Sequence, residues 1–423
     1  MSNFFRSLIA LAIVGLWSST MALAVYAPEP QSGGRFFKSK GTKSAEEYRY
    51  LGRTGLRPED YYDSPGLTYE GVRLKPYVGY SGDWDTNVFL TERDRSQDYI
   101  NRLNWGTDVE VPLDAQKHLL YGGVHSESEW FAKNSSENHT DWVFQGGGQF
   151  NFNNFSLDLH EEFRDTVDRS NSELTARTER YENYLDGVLT IPFGQMFSET
   201  EVSHYNLEFD DEANQVFDRY ELRISPRIGV NVGDRTQALV EYQLTNINYN
   251  KIEDRNGDAH QISLGLRGFL GQGDLVTYQV WGGWQVRNYD SDLRDDFTGP
   301  VWRADIEYRR SEISRFYAST KREPVESVTV NNSFITRTDL EVGWRRKLSE
   351  RITGTLAGAS AFHHYSNGRL DFLWEPKVGV DYLIPGRVGA RLYTDYRWSA
   401  RHSDADNQDY ERSLLSFGIR AEV

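Results

Sequence analysis

The strongest constraint on this chain is an alternation of two chemistries along its last hairpin. In the segment from Arg387 to Trp398, Arg391, Tyr393, Asp395 and Arg397 share one face, while Ala390, Leu392, Thr394, Tyr396 and Trp398 share the other. After an acidic stretch from His402 to Asp409, Ser416, Gly418, Arg420 and Glu422 alternate in the same way with Leu415, Phe417, Ile419 and Ala421. Successive side chains of a strand point to opposite sides, so such a strand needs water on one side and an apolar phase on the other. That apolar phase is either a protein core or a lipid bilayer.

The pattern recurs from Val72 onward and predicts eighteen strands, with sixteen as the alternative count. The series opens with Val72–Gly82 and Tyr99–Pro112 and closes with Val388–Ser399 and Tyr410–Val423. Connections alternate in length. Asp114–Lys117, Asn153-Asn154, Gly194–Met196, Gly233–Arg235, Gly271–Gly273, Ser311–Ser314, Ser349-Glu350 and Pro385–Arg387 are tight, whereas Asn134–His139, Thr166–Thr178, Asp254–Asp258 and Asp290–Asp296 are longer and polar. Short turns at one end and long loops at the other are the layout of an outer-membrane barrel, whose periplasmic turns are the short ones. With an even strand count both chain ends fall on the periplasmic side. The predicted fold is therefore all-β, an antiparallel transmembrane β-barrel of the bacterial outer-membrane type.

A soluble sandwich or propeller with one polar face is the competing explanation. Its core would be built mainly from Val, Ile and Leu. Here 25 Tyr, 22 Phe and 11 Trp recur near strand ends, as in interfacial girdles. A mean hydropathy of −0.66 is no objection, because a barrel places its apolar side chains at every second position. A barrel of 16–18 strands leaves an aqueous lumen rather than a filled core.

Residues 1–24 read as a signal peptide: Arg6, an apolar run from Leu8 to Trp17, and the small-residue site Ala22-Leu-Ala24. No later stretch approaches the ~20 apolar residues of a spanning helix. Residues 25–70 show no sustained period and are expected to form a periplasmic arm or a lumen segment, with the barrel running from Gly71 to Val423. The chain has no cysteine, which rules out a disulfide framework and thiolate chemistry.

The candidate functional residues are the charges expected on the wet face of four strands. They are Arg219, Glu221, Arg223 and Arg227; Arg303, Asp305, Glu307 and Arg309; Arg337, Asp339, Glu341 and Arg345; and Arg391, Asp395 and Arg397. Such ladders either set up a transverse field that screens solutes or simply neutralise one another and stiffen the wall. Other strands lean acidic, with Asp158, Glu162, Glu182, Asp186, Asp371, Glu375 and Asp381. Tyr184, Tyr393 and Trp281 are lumen-facing by parity and are candidates for a sugar-stacking track. The acidic stretches Asp254–Asp258 and Asp404–Asp409 lack the full spacing of a calcium loop, and His363 and His364, being adjacent on a strand, face opposite sides and cannot chelate together. No nucleophile elbow, zinc-protease motif or phosphate loop is present, so neither catalysis nor a cofactor or metal is expected.

Two segments carry a family resemblance. The opening Gly71-Val-Arg-Leu-Lys-Pro76 with Asp85-Thr-Asn87-Val-Phe89, and the closing Tyr396–Arg401, Asp409–Ser413 and Phe417–Arg420, resemble outer-membrane β-barrel porins associated with exopolysaccharide synthesis and export loci. The resemblance implies a channel serving polysaccharide export or general solute passage. Its alternative is a docking barrel, sealed by the arm, within a polysaccharide assembly system; an outer-membrane hydrolase is the remote third reading. Expected partners are outer-membrane lipid and lipopolysaccharide, the barrel-assembly machinery, and polysaccharide or periplasmic export components. No nucleic-acid partner is expected.

Overall fold

Backbone pairing carries the alternating segments once around a closed ring. The computed structural model describes residues 66–423 apart from 115–116, 169–172, 174–176, 234, 272–274, 312, 330, 385 and 387–388. The expected signal peptide, the arm up to residue 65, and parts of the turns at 114–117, 233–235, 271–273, 311–314 and 385–387 and of the loop 166–178 lie outside the described residues.

A three-residue strand β1 (Leu67–Tyr69) precedes the barrel strands β2 (Val72–Asp85), β3 (Asp98–Leu113), β4 (His118–Phe131), β5 (His139–Asn151), β6 (Ser156–Asp168) and β7 (Thr178–Phe193). Next come β8 (Met196–Phe209), β9 (Arg219–Asn231), β10 (Thr236–Tyr249), β11 (Gly257–Leu270), β12 (Val276–Tyr289) and β13 (Phe297–Ser311). The last are β14 (Ser314–Glu326), β15 (Phe334–Lys347), β16 (Ile352–Tyr365), β17 (Leu370–Ile384), β18 (Gly389–Ser403) and β19 (Tyr410–Glu422). Each pairs antiparallel with its sequence neighbours, and β19 pairs back onto β2 from Leu414↔Asp85 to Glu422↔Tyr77. The result is a closed eighteen-strand antiparallel barrel. The short β1 pairs with Val72–Leu74 on the same edge of β2, just beyond the end of β19.

The two faces separate as the alternation requires. On β11, Ile262 is 61% and Leu264 67% exposed while Ser263 between them is 2% exposed. Exposed Leu, Ile, Val, Phe, Tyr and Trp side chains continue this outer surface around the ring, and buried polar and charged side chains line the inside. For a water-soluble sheet that distribution would be inverted. It fits a barrel whose outer surface meets lipid.

The barrel strands are 13–16 residues long. At ~3.3 Å per residue and a tilt of ~40° they rise roughly 33–40 Å, more than the ~25 Å apolar band. Several therefore outrun their sequence-based bounds on the long-loop side: β13 starts at Phe297 rather than Val301, β11 at Gly257 rather than His260, and β18 ends at Ser403 rather than Ser399. Beyond the bilayer both faces meet water, so the ladder continues after the alternation fades. At the other end tight turns join the strands. Gly194, at φ +70°, makes the reversal between β7 and β8 that a side chain would strain.

Candidate functional site

Residues two apart on a strand lie ~7 Å apart on the same face, within reach of an arginine and a carboxylate. The inner surface of the barrel uses that spacing repeatedly. On β9, Arg219 Nε donates to Glu221 Oε1 at 2.9 Å. On β13, Arg303 pairs with Asp305 at 2.9 Å, and Arg309 with Glu307. On β15, Arg337 pairs with Asp339 at 3.1 Å, while Arg345 reaches across β16 to Asp381 on β17 at 3.6 Å. On β18, Asp395 receives Lys377 at 3.5 Å and Arg391 stands 3.9 Å from Asp381. Arg223, Glu341 and Arg397 occupy the same inner parity on β9, β15 and β18.

Arg227 is the hub of the wall. Its Nη1 and Nη2 donate to Glu199 Oε1 and Glu201 Oε2 at 2.7 Å each, and its Nε to Glu241. Glu199 is shared with Arg267 from β11 at 2.9 Å. Ladders of this kind largely neutralise themselves locally.

Across the lumen, however, the balance shifts. Among the described residues, the inward arginines of β3–β8 are Arg102, Arg164 and Arg180. Against them stand Asp108, Glu110, Glu127, Glu129, Asp141, Asp158, Glu162, Glu182, Asp186, Glu199 and Glu201. From β13 to β19 the signs are close to balance: Arg303, Arg309, Arg315, Lys321, Arg337, Arg345, Lys377, Arg391, Arg397, Arg401, Arg412 and Arg420 stand against Asp305, Glu307, Glu323, Asp339, Glu341, Asp371, Glu375, Asp381, Asp395 and Glu422. An acidic wall thus faces a nearly neutral one, which sets a field across the lumen.

The three aromatic candidates face inward but differ in surroundings. Tyr184 packs against a cluster of Tyr205, Leu207, Phe209 and Phe217. Trp281 lies so close over Gly265 that no Cβ fits there, and the Arg227 guanidinium stands 5.7 Å from its ring centre. Tyr393 lies against Gly418. With an arginine beside Trp281 and an apolar cluster around Tyr184, these rings belong to the wall rather than to a continuous track.

At the long-loop end, connections from opposite sides of the ring meet. Val328, in the β14–β15 connection, packs on the Tyr205–Phe217 cluster of β8 and its following loop, six strands away. Arg255, fully buried in the β10–β11 connection, donates from Nη1 to Ser327 O at 2.6 Å and from Nη2 to Asn332 O at 2.7 Å, and it also reaches Thr329 O. Glu326 accepts from Tyr249 Oη at 2.7 Å and Tyr289 Oη at 3.1 Å, with Arg287 alongside. Glu173, in the β6–β7 connection, accepts from Ser327 Oγ, from Val328 N at 3.2 Å and from Thr329 Oγ1 at 3.4 Å. β6 and β14 are eight strands apart in a ring of eighteen, so this contact spans the mouth. Burial pushes the Glu173 carboxyl above its ordinary range, against the pull of these hydrogen bonds and of Arg255.

Residues 60–423 match the family described as "Putative beta-barrel porin 2". The chain belongs to this porin family. Solved structures similar to it include the outer membrane protein OpdK of Pseudomonas aeruginosa, at 10% identity and a TM-score of 0.47, the match covering 83% of this chain and 99% of that one. OccK2 (OpdF) of Pseudomonas aeruginosa matches at 10% identity and a TM-score of 0.48, over 83% and 98% of the two chains. A BenF-like porin of Pseudomonas fluorescens Pf-5 matches at 10% identity and a TM-score of 0.47, over 83% and 99%. No curated protein matches the chain.

As a porin, the protein is a channel of the bacterial outer membrane and not an enzyme. The mouth of the porin holds the residues that alternation does not single out. Arg255 sits in an acidic stretch that reads as solvated surface; in the structure Asp254 pairs with Arg294 at 2.9 Å and Asn256 Oδ1 accepts from Tyr249 N at 2.7 Å. In the other acidic loop Asp404 and Asp409 accept the backbone amides of Leu370 and Ser403 at 2.9 and 2.7 Å. Both stretches serve as loop braces. The one available hint was compositional: Ser327-Val-Thr-Val-Asn-Asn-Ser333 is short of charge for an extracellular loop.

Proposed function

We propose that the porin passes hydrophilic solutes of the saccharide class. The observation that carries this reading is the self-paired charge ladder of β9 to β19: a stretch of wall dense in hydrogen-bonding groups whose arginines and carboxylates are largely committed to each other. Such a wall keeps water in the lumen and exchanges hydrogen bonds with polyhydroxylated solutes. It offers few uncommitted charges to hold a strongly charged one. The resemblance of Gly71–Phe89 and Tyr396–Arg420 to porins of exopolysaccharide loci supports placing the solute in that traffic. The contacts across the mouth favour oligosaccharides over a continuous polymer.

Planar-bilayer recordings test this. Neutral oligosaccharides should interrupt the ion current in a concentration-dependent way, with small-ion selectivity close to unity. A current that oligosaccharides leave untouched, or a channel strongly selective for one ion sign, would overturn the reading. The spanned mouth also favours a second reading, a docking barrel closed by its own segments. If it holds, the full chain is silent in bilayers and deletion of residues 25–65 raises conductance.

A further inference from the structure

The outer surface of a barrel at bilayer depth should carry no unpaired charge, because a lipid-facing arginine is costly at the midplane and nearly free only at the interface. Arg322 breaks that rule in an instructive place. The register Trp302↔Arg322↔Thr338 puts it on the outer parity of β14, in line with Ala304, Ile306 and Tyr308 of β13 and with Leu340 of β15. It stands eight residues above Ser314, where β14 leaves its short turn. At ~3.3 Å per residue and ~40° of tilt that is roughly 20 Å up an apolar band of ~25 Å, at the border with the outer leaflet's headgroups. Tryptophans mark the same border: Trp302 beside it, and Trp374 and Trp398 packed edge-to-face at 4.3 Å on β17 and β18.

The guanidinium is held but not satisfied. Its Nη1 donates to Thr338 Oγ1 at 2.7 Å, and its carbon lies 5.4 Å from the Trp302 ring centre. Trp302 is in turn fixed through Nε1 to Thr320 Oγ1 at 3.2 Å. The Nε of Arg322 is buried and, among the described residues, has no acceptor, so an outside group meets only the Nη end of the fork. Among the described residues no carboxylate shares the outer face at this height from β13 to β17, where the parity brings Pro300, Thr336, Ser360, Phe362 and Phe372. The opposite flank differs: there Asp165, Glu179 and Asp210 crowd together on the outer face and repel anions.

We propose that Arg322, braced by Trp302 and Thr338, is a binding post for a phosphate group of an outer-leaflet lipid. A planar guanidinium at headgroup depth, with one arm held by Thr338 and its charge set beside an aromatic ring, matches a phosphate monoester on a lipid anchor. The acyl chains of the same lipid lie on the apolar surface below, so one molecule meets both. The inference rests on the chain's place in the outer membrane and not on what passes through its lumen.

Full-length protein in phosphate-free maltoside micelles, titrated with bis-phosphorylated lipid A, tests this. The readouts are Trp fluorescence and the temperature of heat-modifiable migration. Wild type should bind and shift upward. Arg322→Gln should bind at least about tenfold more weakly, the equivalent of one charge-assisted hydrogen bond. Thr338→Val, which leaves the charge but removes its brace, should fall between them and serves if Arg322→Gln fails to fold. Dephosphorylated lipid A and inorganic phosphate should each leave all three proteins unchanged. Equal binding by Arg322→Gln, or equal effects of phosphorylated and dephosphorylated lipid A, would overturn the proposal. Inorganic phosphate alone reproducing the shift would refute the lipid as its source.

Discussion

Removing Arg227 should cost the barrel more than any other single charge on its wall. Its side chain is 15% exposed and its three carboxylate partners Glu199, Glu201 and Glu241 only 8–9%, so the screening that reduces surface pairs to about 0–1 kcal/mol applies weakly here. Truncation to Arg227→Met would leave three carboxylates facing one another with only Arg267 to offset Glu199. Breaking a buried pair by deleting one partner costs about 3–5 kcal/mol, and a water-filled lumen places the expected loss near 3 kcal/mol. Arg227→Lys keeps the charge but replaces a five-donor fork with a single ammonium that cannot reach all three acids, so about half the loss should return. Reversible guanidinium unfolding in phosphatidylcholine vesicles, followed by tryptophan fluorescence, measures both variants. A loss under about 1 kcal/mol for Arg227→Met would refute the claim that this hub is buried and mutually dependent. So would a loss that Glu201→Gln fails to relieve in the double mutant.

Two further outcomes follow from the geometry. Burial raises the Glu173 carboxyl, so the contact across the mouth takes up a proton more readily than the free loop does, and it strengthens as pH falls toward the ordinary glutamate value near ~4.3. With Ser327, Thr329 and Arg255 as its neighbours, hydrogen exchange at the Val328 amide, corrected for its intrinsic rate, should be slower at pH 5 than at pH 8, and Glu173→Gln should abolish the difference. Leu264→Arg, at a position 67% exposed on the apolar belt of β11, should destabilise the protein by about 2–4 kcal/mol in vesicles while leaving conductance unchanged. A stability change within about 0.5 kcal/mol would place that surface out of contact with lipid.

Fold and site were unequally legible. Where a strand meets lipid on one side and water on the other, the alternation writes its orientation into every residue. That is why Arg303, Asp305, Glu307 and Arg309 read from the sequence as a set opposite Trp302, Ala304, Ile306 and Tyr308. Above the bilayer border the cue disappears, and with it the true start of β13 at Phe297. The mouth was hidden for a different reason. Burial of Arg255 and Glu173 depends on meeting Ser327–Asn332, segments 72 to 156 residues away along the chain, and no local period records such a meeting. Pairing of the ladder charges was foreseeable from their spacing of two. The convergence of Glu199, Glu201 and Glu241 on one arginine was not, because it depends on the register of three strands.

The little strand Leu67–Tyr69 bears on how the ring comes to be shut. Every other joint in the wall forms between neighbours in sequence, but β19 must find β2 after more than three hundred residues have been laid down. Until then the nascent sheet has two raw margins, each able to recruit a foreign strand. By folding back on Val72–Leu74, β1 covers the stretch of β2 that β19 does not reach, so that end of the margin is not left bare once the ring is shut. Arg412 then clasps Asp85 at 2.6 Å, and Ser413 N and Thr86 Oγ1 meet at 2.8 Å, fastening the far end of the same seam. A chain lacking residues 67–69 should close the same ring but keep that short stretch of β2 open to a foreign strand.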